Sequence, residues 1–331
     1  MTLQLKPLKY MLILLLVLPL TLKPYADSQA QSDKLQVLAT YSILGDVVQN
    51  VGGEAIELSV LVGPDGDAHT FEPTPQDGIS LLEADLIFEN GLEFETWLDD
   101  LYEASGSEAP RVDVSMGIET LAFEEAGHDH EGEEHKNEGE DHEHEGEDQG
   151  HDHGEFDPHT WQNPQNVILM AQNIQAALSE ADPANAEAYA ANAQDYIAEL
   201  EALDAEIEAT LASIPAENRK LVTSHDALGY FADRYGFEVL VTVLPATTEA
   251  ADPSAGELAE IIETIQAAGI PAVFIENIAN PDLMERIAQE AGVELAPSLY
   301  TDALGEAGSD GDTYLNMMRY NTRVLAEALG G

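Results

Sequence analysis

Cysteine is absent from the 331 residues, which excludes disulfides, thiolate zinc sites and a lipid anchor carried on cysteine. Basic residues are scarce: 12 Lys and Arg stand against 64 Asp and Glu, for a net charge of −52. Six lysines and six arginines scattered along the chain assemble no basic patch, so nucleic acid is excluded as a partner and anionic membrane surfaces are disfavoured. The same imbalance favours a cationic ligand, because a negative field concentrates cations. Aromatic residues make up only 6%, and the two tryptophans, Trp97 and Trp161, read as packing residues. A long apolar run is also missing. The N-terminal stretch 11–18 is too short to span a bilayer comfortably. With Lys6 and Lys9 before it and small residues after it, ending near Ala26 or Ala30, it reads as a secretory signal over 1–30. The expectation is an exported, soluble, monomeric periplasmic protein, without a lipobox cysteine and without membrane insertion after cleavage.

What is present in force is histidine, ten residues in all. Seven lie in one acidic tract: His128, His130, His135, His142, His144, His151 and His153. Between Gly127 and Gly154 there is no Leu, Ile, Val or aromatic residue, so nothing there supports a core. The segment 124–156 is read as a disordered insertion. The other three histidines, His69, His159 and His225, stand alone, each just after a strand end or turn. Imidazole is the commonest metal-binding side chain at neutral pH, and the pattern points to capture of a transition metal.

The rest of the chain alternates β-rich runs with helical ones. Strands are expected at 35–40, 56–62, 85–89 and 111–114, with helices at 42–51, 75–83 and 94–102. The second half repeats the scheme, with strands at 220–224, 239–243, 272–275 and 293–296 and helices at 226–235, 254–268, 281–291 and 312–329. Such alternation predicts parallel sheets. A helix at 164–180 precedes a second one capped by Asp182, with Pro183 at its first position, running to about 213. Tyr189, Tyr196, Leu200, Leu203, Ile207 and Leu211 fall on one face of that second helix. The predicted fold is two similar α/β lobes with mainly parallel sheets, joined by one long rigid helix, with a metal site in the interlobe cleft. Its parts are an N-terminal lobe over 31–181, the linking helix over 182–214 and a C-terminal lobe over 215–331.

Ligands in such sheets gather at the carboxyl ends of strands. His69 and His159 from the first lobe, with His225 and Asp302 from the second, are all predicted in such loops. Three imidazoles and one carboxylate suit Zn²⁺ where thiolates are absent. Asp226, Glu249 and Glu276 are candidates for supporting acids. Glu72, three residues after His69, raises a zinc-dependent hydrolase as an alternative, but neither a His-Glu-x-x-His nor a Gly-x-Ser-x-Gly motif is present.

The segments GPDGDAHTFEPTP, ADLIFENGLEFETWLDDL, DPHTWQNP, TSHDALGYFADRYGF and YTDALG, together with the histidine tract, resemble the zinc-binding, ZnuA-type solute-binding proteins of metal-ion ABC transporters (the cluster A-I family). They run in that family's order across nearly the whole mature chain. The resemblance implies that His69, His159 and His225 are the three histidine ligands and Asp302 the acidic fourth. It also implies delivery of Zn²⁺ to an ABC importer, a membrane permease with its ATPase, by a protein that is not an enzyme. Manganese-binding members typically carry Glu at the position of His225, and Mn²⁺ prefers oxygen-rich sites, so manganese is the lesser alternative. A stand-alone periplasmic zinc buffer is the remaining one. The tract histidines are expected to serve as auxiliary, low-affinity metal sites.

Overall fold

β1 (Leu35–Tyr41) is mostly apolar, with Gln36 and Thr40 as its polar members, and it is buried from Val37 onward. It gives way at Ser42 to α1 (Ser42–Gly52), whose Ile43, Leu44, Val47, Val48 and Val51 form the buried face. β2 (Ile56–Val62) returns parallel to β1, with Val37 opposite Leu58. α2 (Pro75–Glu83) starts on a capping box between Thr74 and Asp77, an arrangement worth about 1 kcal/mol. β3 (Leu86–Glu89), α3 (Leu98–Ser105) and β4 (Arg111–Asp113) complete a parallel sheet of order β2-β1-β3-β4.

This computed structural model describes Thr2 and residues 34–122, 156–244 and 253–330. The signal reading over 1–30, the seven tract histidines and Glu249 lie outside the described residues. So does the insertion read over 124–156, except for Phe156, which pairs in an antiparallel bridge with Ala122.

α4 (Pro164–Ala181) is capped by the Asn163 side chain, with Pro164 at its first position. α5 (Ala186–Leu211) follows, 26 residues or about 39 Å long. Its start differs from expectation. Asp182 closes α4, and its carboxylate accepts hydrogen bonds from Asn185 Nδ2 (2.6 Å) and Tyr189 Oη (2.9 Å), so Pro183 falls in the turn before α5. Tyr189, Tyr196, Leu200, Leu203, Ile207 and Leu211 are all buried on one face. Buried Asp204 on α5 accepts from Gln165 Nε2 (2.8 Å) on α4.

The second lobe runs β5 (Lys220–Thr223), α6 (Gly229–Tyr235), β6 (Glu238–Thr242), α7 (Ala255–Ala268), β7 (Ala272–Val273), α8 (Pro281–Ala291), β8 (Glu294–Leu295) and α9 (Tyr314–Leu329). β5 pairs with β6 and β7 with β8, all parallel. The Phe274 amide donates to Val222 O (2.9 Å) and sets β7 beside β5. The lateral order β6-β5-β7-β8 therefore repeats that of the first sheet. One apolar core joins the halves: Val37, Val47, Ile174, Leu203, Phe231 and Leu325 belong to a single buried cluster. No helix among the described residues is long and apolar enough to cross a membrane.

Two further helices begin later than the sequence suggests. α3 starts at Leu98 and not at 94, because Leu92 (φ 54°) and Glu93 (φ 59°) turn through the left-handed region. That turn sends Phe94 inward. α6 starts at Gly229 and not at 226, because the Ala227 amide donates to His225 O and bends the chain just after β5.

Candidate metal centre

His69, His159, His225 and Asp302 converge, each offering one ligand atom within 4.8 Å of the others. His69 lies in the loop between β2 and α2, and its amide donates to Asp67 Oδ1 (2.8 Å). His159 precedes a short 3-10 turn, Thr160–Gln162, ahead of α4. His225 follows β5, and Asp302 lies beyond β8. His159, His225 and Asp302 are fully buried, whereas the His69 side chain keeps 8% of its surface exposed.

Nε2 of His69 lies 3.2 Å from Nε2 of His159 and 3.4 Å from Asp302 Oδ2. Nε2 of His225 is 2.8 Å from Asp302 Oδ2, and Nε2 of His159 is 3.7 Å from Oδ1. Four ligands at about 2.05 Å from a tetrahedral zinc stand about 3.3 Å apart along each edge. The separations above, 2.8 to 3.7 Å, bracket that edge. Asp302 Oδ1 is buried without a hydrogen-bond partner, an expensive arrangement for a carboxylate unless a cation meets it.

The far nitrogens of two rings are held by acids. His159 Nδ1 is 2.6 Å from Asp157 Oδ1, which also accepts the His159 amide (2.9 Å). His225 Nδ1 contacts Glu276, whose Oε1 accepts the His225 amide (3.0 Å) and whose Oε2 accepts from Thr301 Oγ1 (3.1 Å). A ring whose proton sits on Nδ1, against its acid, presents the Nε2 lone pair to the cluster, the tautomer a metal requires.

The charges match that geometry. Burial opposes a proton on His225, but Glu276 and Asp302 outweigh it and hold its pKa well above the ordinary imidazole value. For His159, burial is likewise overcome, by Asp302 and Asp157, and the pKa is raised. His69 is lowered, chiefly by burial. Burial works against ionisation of Asp302, yet His225 and His159 keep its carboxyl well below the usual range. The cluster thus holds a carboxylate and two proton-hungry rings, His159 and His225, ready to exchange protons for a cation.

Aromatic side chains fix the loops around it. His69 packs on Phe94 with ring centroids 4.7 Å apart, and Phe94 packs on Trp161 at 4.9 Å. Trp161 Nε1 donates to Thr301 O (2.7 Å), tying the His159 segment to the Asp302 segment. Trp97 Nε1 donates to Ala68 O (2.8 Å), beside His69. Glu72 is exposed and outside the cluster. Sequence reasoning missed Asp157; its signal was the acid two residues before a lone histidine. Glu276 was one of three acids offered, with no means of choosing among them.

The sequence profile of the family described as zinc-uptake complex component A, periplasmic (ZnuA), matches residues 37–328. The manganese ABC transporter substrate-binding lipoprotein PsaA of Streptococcus mitis is 31% identical over 307 residues, covering 91% of each chain. The manganese-binding lipoprotein MntA of Halalkalibacterium halodurans is 30% identical over 295 residues, 89% of this chain and 88% of its own. Among solved structures, the periplasmic zinc binding protein TroA from Treponema pallidum superposes with a TM-score of 0.77 at 29% identity, covering 90% of this chain and 99% of TroA. These relatives correct one expectation. Both sequence relatives are named lipoproteins, so the untethered periplasmic placement gives way to the broader one, outside the cytoplasm. The family's members are substrate-binding transport proteins and not enzymes, and such proteins work with a permease and an ATPase. With the profile spanning almost the whole chain, the protein belongs to the ZnuA family of metal-ion ABC transporter substrate-binding proteins.

Proposed function

We propose that the protein captures Zn²⁺ outside the cytoplasm through His69, His159, His225 and Asp302 and hands it to an ABC importer's permease and ATPase. The observation that carries this reading is the donor set: three imidazole nitrogens and one carboxylate gathered within 4.8 Å of one another. Nitrogen-rich, four-coordinate sites suit zinc, whereas Mn²⁺ favours more oxygen ligands and higher coordination. The ion is cargo. Asp157 and Glu276 keep two rings oriented for it, and a net charge of −52 draws cations toward the protein. The tract histidines enter as weak auxiliary sites that raise the local ion concentration.

A manganese reading has its own support, the names of the PsaA and MntA relatives. Calorimetric competition between Zn²⁺ and Mn²⁺ separates the two. Zinc should win by at least about 100-fold on the unaltered protein, and His225→Glu should narrow the gap. Manganese holding its own at equal concentration would overturn the zinc assignment. Deleting 128–153 should leave one tight site, and its loss would refute the auxiliary role.

A further inference from the structure

The carboxylate that orients His159 is itself seated against the opposite lobe. A Cβ on Gly229, the first residue of α6, would lie 2.6 Å from Asp157 Oδ2, closer than such atoms approach. Neither side can yield easily. Asp157 is buried, and its other oxygen is occupied by the amide and Nδ1 of His159. α6 is pinned to α5: Arg234 Nη2 donates to Asp204 Oδ2 (2.6 Å) and Tyr235 Oη to Asp204 Oδ1 (2.8 Å).

The next residue completes the grip. Tyr230 Oη donates to the main-chain carbonyl of Asp157 (3.0 Å) and accepts from the Leu121 amide (3.1 Å). The Asp157 amide in turn donates to Leu121 O (2.8 Å), next to the bridge between Ala122 and Phe156. One hydroxyl from the second lobe therefore holds both strands at the neck where the histidine tract leaves and re-enters the first lobe. That neck lies three residues before His159.

We infer that Gly229 and Tyr230 are positioning residues for metal capture: the bare backbone of one and the hydroxyl of the other set Asp157, and through it the aim of His159 Nε2. The inference rests on the four-ligand site proposed above. It makes the first lobe's His159 dependent on α6 of the second, so the ligand is aimed only when the two halves are docked. Substitution at Gly229 acts by displacing the Asp157 carboxylate, so its effect must vanish when that carboxylate is gone.

A double-mutant cycle tests this. Zinc affinity is measured by chelator competition on the full chain carrying Gly229→Ala, Asp157→Ala, or both, with the visible spectrum of bound Co²⁺ as a report on ligand geometry. Gly229→Ala should lower affinity about 10- to 100-fold and alter the Co²⁺ bands, while in the Asp157→Ala background it should change affinity less than about threefold. Tyr230→Phe, which removes one hydroxyl and adds no bulk, should shift the Co²⁺ bands and weaken zinc binding without moving the metal-free melting temperature by the same proportion. Unchanged affinity in Gly229→Ala, or an equal loss with and without the Asp157 carboxylate, would overturn the inference. If the unaltered protein binds no zinc more tightly than His159→Ala does, the four-ligand site itself fails and the inference falls with it.

Discussion

Replacing Glu95 by glutamine should stabilise the metal-free protein, and more so as the solution becomes alkaline. Glu95 is buried, and its Oε1 accepts hydrogen bonds from Thr40 Oγ1 (2.6 Å) and the Asn90 amide (2.8 Å). Burial outweighs those two bonds and pushes its carboxyl up to about 7 from 4.5. In the window between those values the folded state holds a proton that the unfolded chain releases. Its contribution is therefore greatest at the acid end of the window and is lost as pH rises through about 7. Above that pH the buried charge costs about 2.5 pH units times 1.36 kcal/mol, roughly 3 kcal/mol. The glutamine side chain of the Glu95→Gln variant keeps the acceptor oxygen and cannot ionise. Chemical denaturation of metal-free protein at pH 5 and pH 8 reads the difference between the two chains, which cancels every other titrating group. An advantage under about 1 kcal/mol at pH 5 and one of roughly 3 kcal/mol at pH 8 are expected, the latter equivalent to roughly 5 °C in melting temperature. A pH-independent difference, or a less stable variant at pH 8, would refute the reasoning.

Glu276→Gln should weaken zinc binding about 10- to 100-fold, because the His225 ring loses the acid that fixes its Nδ1 proton; equilibrium competition with a chelator measures it. Zinc uptake should release at least one proton per ion at pH 7. The raised pKa values of His225 and His159 mean that below those values the rings carry protons the cation must displace, so affinity climbs with pH until the rings are neutral. Calorimetry in buffers of differing ionisation enthalpy reads that release, and a heat independent of buffer would contradict it. Saturation at about 1,000 times the dissociation constant should add about 4 kcal/mol of stability, removed by a chelator and visible as a drop in melting temperature.

Most of the fold was legible because β-rich runs and amphipathic helices alternate without interruption, and the aligned face from Tyr189 to Leu211 is buried as a face. The legible part of the candidate site was the set of lone histidines, each a weak signal alone but all three placed at strand-end loops, where the structure gathers them. What escaped was set by tertiary contacts. Asp182 followed by proline reads as a helix start, yet Asn185 and Tyr189 claim its carboxylate and move the start of α5 to Ala186. Phe94 sits at the head of a helical pattern, but the left-handed turn at Leu92 and Glu93 sends it inward against His69 instead. Asp157 and Glu276 look like any other acids in a chain holding 64 of them; only their approach to a ring nitrogen distinguishes them.

The uninterrupted core beneath the two lobes bears on how cargo leaves. Side chains from Val37 to Leu325 pack as one body, and Asp204 on α5 is bonded to α4 and α6 alike. Swinging the halves apart to free an ion would tear that body open and expose apolar surface at about 25 cal/mol per Å². The same packing therefore weighs against release by wide separation of the halves. Of the four clustered side chains, His69 alone reaches solvent, so an ion seated among them would meet water on that side.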